Sequence, residues 1–342
     1  MNCPACGKDC VKAAHDLLWN IDSVFAPCPE CRARVLNKRA PLPNRYYEPV
    51  CSCGKRFIDE VFAHIYVILE EEGLFSGTEP LAKVGMPLVH PGFFMPEPPY
   101  LPPGSLLLVS GIISKPVAIR IANEVPEIRG IVKSGDYIPG IAADGIDGQP
   151  KRYEILAGCD VRANIFPCSG GPVVLYQQQS LIHIEFPRNY NPKIDAVEKQ
   201  LRGPHPPWFV DAACGAGTLG LVAARIGTPH VILNDAWYAA AFWTAFNLDI
   251  NMEFFAVDEV IMHASYGEME TVPVRKEPML IAETEGKQTV AVYQGDLDAL
   301  WQVLPDEPVL TVLDLFDKEN KQHMDRVSSR WREHVSGEVF IP

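Results

Sequence analysis

Over residues 201–342, short apolar runs alternate with segments of helical period, which is the pattern of an α/β domain built on a parallel sheet. Four of these runs end in an aspartate, at 209–211, 231–235, 291–296 and 309–314. The segment 219–226 has apolar residues at helical spacing, and Gly227 is placed to end that helix. The segment 237–248 is apolar nearly all round, so we expect a helix that is packed on both of its sides.

Upstream, the pattern predicts a smaller strand-rich domain over residues 105–200. Alternating or continuous apolar runs predict strands at 105–112, 117–122, 128–132, 173–178 and 181–186. Before this domain, residues 57–69 carry an apolar stripe at helical spacing, and residues 86–104 contain seven prolines, which exclude regular helix. Residues 57–104 are therefore predicted to form a helix followed by an extended connector.

Residues 1–56 are predicted to form a zinc-ribbon-like module, because cysteine pairs recur in them at metal-ligand spacing. The pairs are Cys3 with Cys6, Cys28 with Cys31, and Cys51 with Cys53. In one arrangement the first two pairs share an ion, as C-x2-C-x21-C-x2-C, with or without metal on the third pair. In the other, the last two pairs share an ion, and Cys3, Cys6 and Cys10, with or without His15, bind another. Closed four-thiolate sites are structural, so zinc is assigned to folding or docking, with an iron–sulfur cluster as the alternative.

A glycine-rich turn follows the apolar run that ends at Asp211. A turn without side chains lets backbone N–H groups approach a ligand, and the N-terminus of the next helix adds a favourable dipole. The spacing of Gly215, Gly217 and Gly220 also satisfies the dinucleotide-binding fingerprint. In that fingerprint, however, the first glycine follows the strand directly, whereas here three small residues separate Asp211 from Gly215.

The order D-x-x-C-G-x-G resembles the first motif of class I S-adenosylmethionine (SAM) methyltransferases. The resemblance implies a Rossmann-like methyltransferase domain with a central, mostly parallel sheet, preceded here by the small strand-rich domain and the zinc ribbon. It also implies a set of cofactor contacts, namely Asp211 near the amino-acid end of SAM, the turn glycines Gly215 and Gly217, Asp235 on the ribose hydroxyls, Trp237 against the adenine, and Asp296 on the adenine amino group. Asp314 and Asp317 lie where that family places its catalytic loop, either as a general base or as caps of the strand end.

Residues 128–317 further resemble the archaeal and eukaryotic tRNA guanine-N1 methyltransferases and their wybutosine-synthesis relatives. The segments that carry this resemblance are 153–158, 170–176, 184–188, 195–201 and 247–251. Two features depart from the family: its Asn-x-Pro-type loop is replaced by Asp314-Leu-Phe-Asp317, and a glutamate expected near Lys193 is absent. Because guanine N1 loses a proton when it is methylated, the guanine-N1 activity does not carry over without that base.

Composition limits the class of protein. The 342 residues are 47% hydrophobic and 21% charged, and no apolar run approaches the length of a membrane span. Ten cysteines without an export signal favour reduced thiols and metal ligation, so we expect a cytoplasmic protein. The formal net charge is −13, yet residues 28–56 carry seven Lys and Arg against two Glu. This local excess predicts either a phosphate-binding surface or a solvated basic face.

Several functions remain open on these observations. RNA methylation is favoured slightly, with protein side-chain methylation and small-molecule methylation as the alternatives. A SAM-binding regulator without turnover is also compatible with the irregular catalytic loop. Residues 252–286 exceed the usual connection between two strands, which predicts either an insertion that shapes substrate access or a peripheral hairpin.

Overall fold

The computed structural model describes residues 2–140, 150–316 and 318–342. The α-helices are α1 (Ala14–Trp19), α2 (Ile21–Val24), α3 (Ile58–Glu71), α4 (Lys115–Glu124), α5 (Pro192–Leu201), α6 (Thr218–Ile226), α7 (Tyr238–Ile250), α8 (Tyr266–Glu270) and α9 (Lys321–His334). The strands are β1 (Arg56–Phe57), β2 (Met86–Val89), β3 (Tyr100–Leu101), β4 (Leu106–Ser110), β5 (Ile128–Lys133), β6 (Glu154–Gly158), β7 (Val161–Phe166), β8 (Val173–Gln178), β9 (Trp208–Asp211), β10 (His230–Asp235), β11 (Val257–Met262), β12 (Met279–Gly286), β13 (Thr289–Gln294), β14 (Val309–Val312) and β15 (Gly337–Phe340). Short 3-10 helices lie at Leu81–Val84, Met252–Phe254 and Leu297–Val303. Within these described ranges, no helix is both long and apolar enough to cross a membrane.

The C-terminal domain is built on a seven-stranded sheet with the order β11-β12-β13-β10-β9-β14-β15. Neighbouring strands from β13 to β15 are parallel, and β11 and β12 extend one edge in antiparallel fashion. The chain runs from β9 outward through β10 to β13 and then returns to the other side of β9 to form β14. The strand order therefore reverses between β9 and β14, and open α/β sheets bind ligands at such a switch point. This arrangement is the predicted Rossmann-like, mostly parallel sheet.

Apolar layers cover both faces of this sheet. On one face, α6 and α7 pack together with the hairpin of β7 and β8 in the largest core of the described residues. On the other face lie α9 and the 3-10 helix Leu297–Val303. Every residue of α7 except Asp249 is buried, which confirms the prediction of a helix packed on both sides.

A separate small domain precedes this sheet in the chain. Its four strands have the order β2-β4-β5-β6, and α3 and α4 pack with them in a second core. A buried ion pair ties the edge of this domain together. The Arg56 guanidinium donates to both Glu127 carboxylate oxygens, with Nε–Oε1 at 2.9 Å and Nη2–Oε2 at 2.6 Å.

The structure distributes residues 1–56 over both cores, whereas the sequence predicted one module. Val11, Ala14 and Leu17 pack in the core of the C-terminal domain, but Phe25 and Leu36 pack in the core of the small domain. The predicted domain at 105–200 is divided in the same way. Strands β4 to β6 belong to the small sheet, whereas β7 and β8 form a separate hairpin on the C-terminal core.

Two predicted strands take other conformations. Residues 117–122 lie in α4, where Pro116 stands in the first turn and the buried residues Val117, Ala118 and Ile121 follow helical spacing. Residues 181–186 contain a turn in which the N–H groups of Leu181 and Ile182 both donate to the Gln178 carbonyl. The chain then continues without regular structure and lines a cavity instead of joining a sheet.

The insertion predicted at 252–286 forms a hairpin, which was one of the two expectations, and its role in substrate access stays a prediction because other segments line the cavity described below. Its strands β11 and β12 form a hairpin at the sheet edge. Between them, residues 271–278 cross the ends of the central strands, where the Tyr238 N–H donates to the Pro273 carbonyl and the Arg275 N–H donates to the Ala236 carbonyl. The insertion therefore reaches the ligand-binding edge of the sheet.

Candidate functional site

The glycine turn after β9 is held open by backbone geometry and by α7. Gly215 and Gly217 have φ values of +57° and +91°, a region that side chains disfavour, and Gly217 is the N-cap of α6. The Thr244 hydroxyl donates to the Gly215 carbonyl at 2.9 Å, and the Asn247 amide donates to the Ala216 carbonyl at 3.0 Å. The turn is thus rigid and bare on its ligand side.

A cavity of about 510 Å³ lies beside this turn at the switch point of the sheet. Its floor comprises Asp211 from β9, Gly215 from the turn and Asp235 from β10, with Asp314 just beyond β14. The small domain adds Ile138 and Gly140 to the wall. The cavity therefore collects residues from both domains at the carboxyl ends of the parallel strands.

Asp211 and Asp235 make the floor of the cavity acidic. One oxygen of Asp211, Oδ2, accepts the Gly220 N–H at 2.9 Å, whereas its Oδ1 is buried without a hydrogen-bond partner among the described residues. Burial is the main cause that raises the pKa of Asp211 to about 8, and the neighbouring carboxylates of Asp314 and Asp235 contribute to this rise. Burial also raises the pKa of Asp235 to about 6. A cationic or hydroxyl-bearing ligand would satisfy this floor, and an anionic one would be repelled.

Of the other predicted cofactor residues, Trp237 lines the cavity and Asp296 does not. The Trp237 indole is buried, and its Nε1–H donates to the Leu181 carbonyl at 3.1 Å. Asp296 instead caps the 3-10 helix Leu297–Val303 by accepting the Asp298 N–H at 3.0 Å. The insertion covers the strand end before it, where the Asp296 N–H donates to the Lys276 carbonyl. Asp296, which the resemblance implies as an adenine contact, therefore does not line this cavity.

Asp314 is held by two lysines. Lys193 Nζ lies 2.5 Å from Oδ2 of Asp314, and Lys318 Nζ lies 3.2 Å from Oδ1. Both oxygens accept hydrogen bonds from ammonium groups, so the side chain is held in an ion-pair network with α5 and the loop after β14. This geometry favours the structural alternative for Asp314 over the base. Asp317, the second predicted catalytic residue, lies outside the described residues.

The sequence prediction missed a neighbouring histidine and glutamate in the same cavity. His183 and Glu185 both line it, with His183 Nε2 3.9 Å from Glu185 Oε1. The Thr218 hydroxyl, in the first turn of α6, lies 3.3 Å from Glu185 Oε2. The ring of Phe316, which is 62% exposed, packs edge-on against His183. A predicted strand at 181–186 had placed His183 on a polar sheet face, so the pair was not recognised.

Comparisons with known proteins give no match at the level of sequence families. No protein-family model matches the chain, and no curated protein matches it. Solved structures that align with it include the M. jannaschii tRNA m1G37 methyltransferase, at 10% identity over 65% of this chain and 53% of that chain, with a TM-score of 0.32. P. horikoshii TYW2, solved in complex with MeSAdo, aligns at 17% identity over 74% of this chain and 71% of that chain, with a TM-score of 0.35. Trm5b from Pyrococcus abyssi aligns at 11% identity over 66% and 64% of the two chains, with a TM-score of 0.34.

The M. jannaschii protein is, by its name, a tRNA methyltransferase, as are the proteins that the sequence resembles. The chain spans only about half of the M. jannaschii protein, 53% of its length.

The cysteines gather into two four-thiol clusters that could each hold a metal ion. One cluster contains Cys28, Cys31, Cys51 and Cys53, and the other contains Cys3, Cys6, Cys10 and Cys159. The arrangement in which Cys3 and Cys6 share an ion with Cys28 and Cys31 is therefore not the one that the structure shows. His15 is no ligand either, because it faces Glu253 at 2.9 Å. Cys159 takes that place, and its distance of more than 140 residues in sequence from Cys10 hid it.

Most cations of the basic stretch at 28–56 contact acids or backbone carbonyls within the fold. Four of its cations form ion pairs with acids of α3 or of the small domain: Arg34 with Glu60, Lys38 with Asp59, Arg45 with Glu70 and Glu71, and Arg56 with Glu127. Lys55 donates to backbone carbonyls of residues 23 and 26. Most of the positive charges on which the hypothesis of a phosphate-binding face depends are therefore already paired with acids.

Proposed function

We propose that the chain is a SAM-dependent methyltransferase. The observation that carries the proposal is the acidic floor at the switch point, where Asp211 presents a buried oxygen without a partner next to a bare glycine turn. A nicotinamide dinucleotide places its pyrophosphate at such a turn, where Asp211 supplies a hydrogen-bond acceptor and no positive charge. SAM carries an ammonium group, a sulfonium and a ribose diol, all of which a carboxylate can bind.

Within this proposal, each floor residue has a defined part. Asp235 accepts the ribose hydroxyls, and Asp211 accepts the ammonium group at the amino-acid end. The backbone of Gly215 and Gly217 approaches the ligand closely, and Trp237 forms an apolar wall. When bound, SAM supplies an electrophilic methyl group; no metal ion is required for that chemistry, so the protein mainly supplies positioning.

The proton of the acceptor goes, in our proposal, to the pair of His183 and Glu185. Both side chains line the cavity, and Thr218 fixes the carboxylate from the start of α6. We assign Asp314 a structural part instead, because it pairs with Lys193 and Lys318. A base of this kind typically contributes a factor of about 10² to 10⁴ in rate.

The acceptor that the cavity mouth favours is a planar base in RNA. Phe186 and Phe316 both line the cavity, and they are 49% and 62% exposed, so each offers a ring on which a base can stack. Arg188 stands beside them, and Lys193 and Lys318 together leave one positive charge after pairing with Asp314. We therefore assign the phosphate contacts to the rim of the cavity and not to the 28–56 stretch.

Zinc is the metal that we assign to the thiol clusters, in a structural role. The cluster of Cys28, Cys31, Cys51 and Cys53 offers four sulfurs and no open position, as expected for a closed site. Cys28 and Cys51 have their Sγ atoms 3.6 Å apart, and Cys31 and Cys53 have theirs 3.5 Å apart. Thiolate ligands require a reducing compartment, and the cytoplasm is part of the proposal on that ground.

The acceptor class is tested by incubating the purified protein with cell extract and radioactively labelled SAM. Ribonuclease and protease treatment of the labelled product then sort RNA from protein acceptors, and label that resists both belongs to a small molecule. We expect label that ribonuclease releases. Label that only protease releases would replace RNA by a protein side chain, and no incorporation beyond a heat-inactivated control would contradict the proposed activity.

A further inference from the structure

The second thiol cluster has the dimensions of an occupied metal site. Cys6 and Cys10 have their Sγ atoms 3.4 Å apart, and the Sγ of Cys159 lies 3.8 Å from that of Cys10 and 3.9 Å from that of Cys3. A tetrahedral zinc ion with Zn–S bonds of about 2.3 Å separates its sulfurs by about 3.8 Å. None of these distances is that of a disulfide bond, and all four cysteines are free.

The backbone around the N-terminal ligands has the form of a metal knuckle. The Gly7 N–H donates to the Cys3 carbonyl at 2.8 Å, and Gly7 has a φ of +69°. In the other cluster a turn that is one residue shorter is closed by the Gly54 N–H, which donates to the Cys51 carbonyl at 2.8 Å, and Gly54 has a φ of +83°. In both clusters, a glycine with positive φ thus closes a turn onto the carbonyl of a ligand cysteine.

The fourth ligand lies at the joint between the two domains. Cys159 is in the two-residue link between β6, which belongs to the small sheet, and β7, which belongs to the core of the C-terminal domain. Its N–H donates to the Arg129 carbonyl in β5 at 3.0 Å. Cys3 and Cys159 are both buried, whereas Cys53 in the other cluster is exposed.

Arg129 connects the cluster to both domains and balances its charge. From β5, its Nη2 donates to the Cys10 carbonyl at 2.7 Å and its Nε donates to the Val161 carbonyl at 2.7 Å. A zinc ion with four thiolates carries two negative charges, so a guanidinium against its backbone is electrostatically favourable. On the other side, the Lys12 N–H donates to the hydroxyl of Tyr176 in β8 at 2.8 Å.

We infer that Cys3, Cys6, Cys10 and Cys159 bind a zinc ion that clamps the joint between the small domain and the C-terminal domain. The ion fixes three segments: the N-terminal segment that carries Cys3, Cys6 and Cys10, the link at 159–160 and, through Arg129, strand β5. Because the small domain supplies Ile138 and Gly140 to the cavity wall, the clamp also sets the position of that wall. The inference does not depend on which ligand the cavity binds.

The test measures zinc in the full-length protein after challenge with a chelator, by mass spectrometry of the metal. Wild type is expected to retain two ions per chain, one for each cluster. Cys159→Ser and Cys53→Ser are each expected to retain one, and Cys168→Ser, which removes a cysteine outside both clusters, is expected to retain two. Retention of two ions by Cys159→Ser, or of a single ion by wild type, would overturn the site.

The clamp itself is tested by hydrogen exchange in the same proteins. Cys159→Ser is expected to speed amide exchange at least about tenfold in residues 154–166 and 8–19, since the link loses its anchor. Cys53→Ser is expected to leave those segments unchanged and to affect residues 26–57 instead. Exchange at 154–166 equal to wild type in Cys159→Ser would contradict the clamp.

A third measurement needs no variant and covers the case in which Cys159→Ser does not fold. Wild type is alkylated with and without prior chelation, and each cysteine is read by peptide mass spectrometry. We expect Cys3, Cys6, Cys10 and Cys159 to be protected together and to lose protection together. Protection of Cys159 that is insensitive to chelation, while Cys3 becomes labelled, would exclude it from the site.

Discussion

At the residue scale, the cavity is defined by two buried carboxylates that end neighbouring strands. Among the described residues, Asp211 accepts one N–H, from Gly220, and its buried Oδ1 has no hydrogen-bond partner. An ionised carboxylate in that position is unfavourable, and a bound cation would remove the penalty. The site is therefore built for a ligand at the expense of stability.

This penalty predicts a pH dependence of the free energy of unfolding. The pKa of Asp211 in the folded protein, about 8, lies above its usual 3.8, so the folded state holds a proton that the unfolded state has lost. Stability therefore falls as pH rises toward about 8, at a limit of roughly 1.4 kcal/mol per pH unit for one proton. Between about pH 6 and 8, above the pKa of Asp235, we expect Asp211→Asn to show a smaller slope in urea unfolding. Equal slopes in the two proteins would contradict this account of Asp211.

The pair of His183 and Glu185 predicts a loss of turnover without a loss of cofactor binding. Glu185→Gln keeps the shape of the side chain but removes its charge, so we expect kcat to fall about 10²-fold or more. Binding of SAM, measured by calorimetry, should stay within about twofold of wild type. Asp195→Asn serves as the control, since that carboxylate pairs with Lys199 at 2.7 Å and does not line the cavity. An unchanged kcat in Glu185→Gln would remove the pair from the proton-accepting role.

At the element scale, the small domain depends on a buried charge pair between β1 and the residue that precedes β5. Arg56 and Glu127 are both buried and share two hydrogen bonds. Removing one partner leaves the other charge buried and uncompensated, so we expect Glu127→Ala to cost about 3 to 5 kcal/mol. The control is Glu124→Ala: Glu124 is exposed, and its partner Arg120 keeps Glu71 and Glu72, so the loss should cost about 1 kcal/mol or less. Urea unfolding measures both, and a cost for Glu127→Ala as small as that of the control would contradict the prediction.

The elements that the sequence predicted correctly are those whose signal is local. The four apolar runs that end in aspartate became β9, β10, β13 and β14, because each combines an apolar core position with a polar strand end. The run at 117–122 failed because a short apolar stretch fits strand and helix alike, and Pro116 in a first turn decided for helix. The strand prediction at 181–186 was wrong for a different reason. Its backbone is fixed by long-range contacts such as the bond from Trp237 to Leu181, which no local pattern reveals.

At the scale of the whole molecule, the charge that counts is the charge left after internal pairing. The sequence shows a basic stretch at 28–56, but acids of α3 and Glu127 pair with four of its seven cations. Likewise, ligand spacing left open whether Cys3 and Cys6 share an ion with Cys28 and Cys31, whereas the fold brings Cys159 to Cys3, Cys6 and Cys10 from the link between the two domains. Both outcomes depend on contacts between segments far apart in the chain, which spacing and composition do not encode.

This charge distribution predicts where RNA binds. Arg188 lines the cavity, whereas Arg39 lies in the basic stretch of the small domain. Using total cellular RNA as the probe, we expect Arg188→Glu to weaken binding about tenfold or more and to reduce the slope of log affinity against log salt by about one. Arg39→Glu should change affinity less than about threefold. A larger loss from Arg39→Glu would return the phosphate contacts to the basic stretch.

The central claim is that the acidic cavity beside Asp211 and Asp235 binds SAM, and titration calorimetry of SAM tests it most directly. We expect saturable binding to wild type, no detectable binding to Asp235→Ala, and near-wild-type affinity for Asp296→Ala, because Asp296 caps a helix outside the cavity. The folded state of each variant is checked by its unfolding transition. Binding of NAD in place of SAM, or SAM affinity unchanged in Asp235→Ala, would contradict the account.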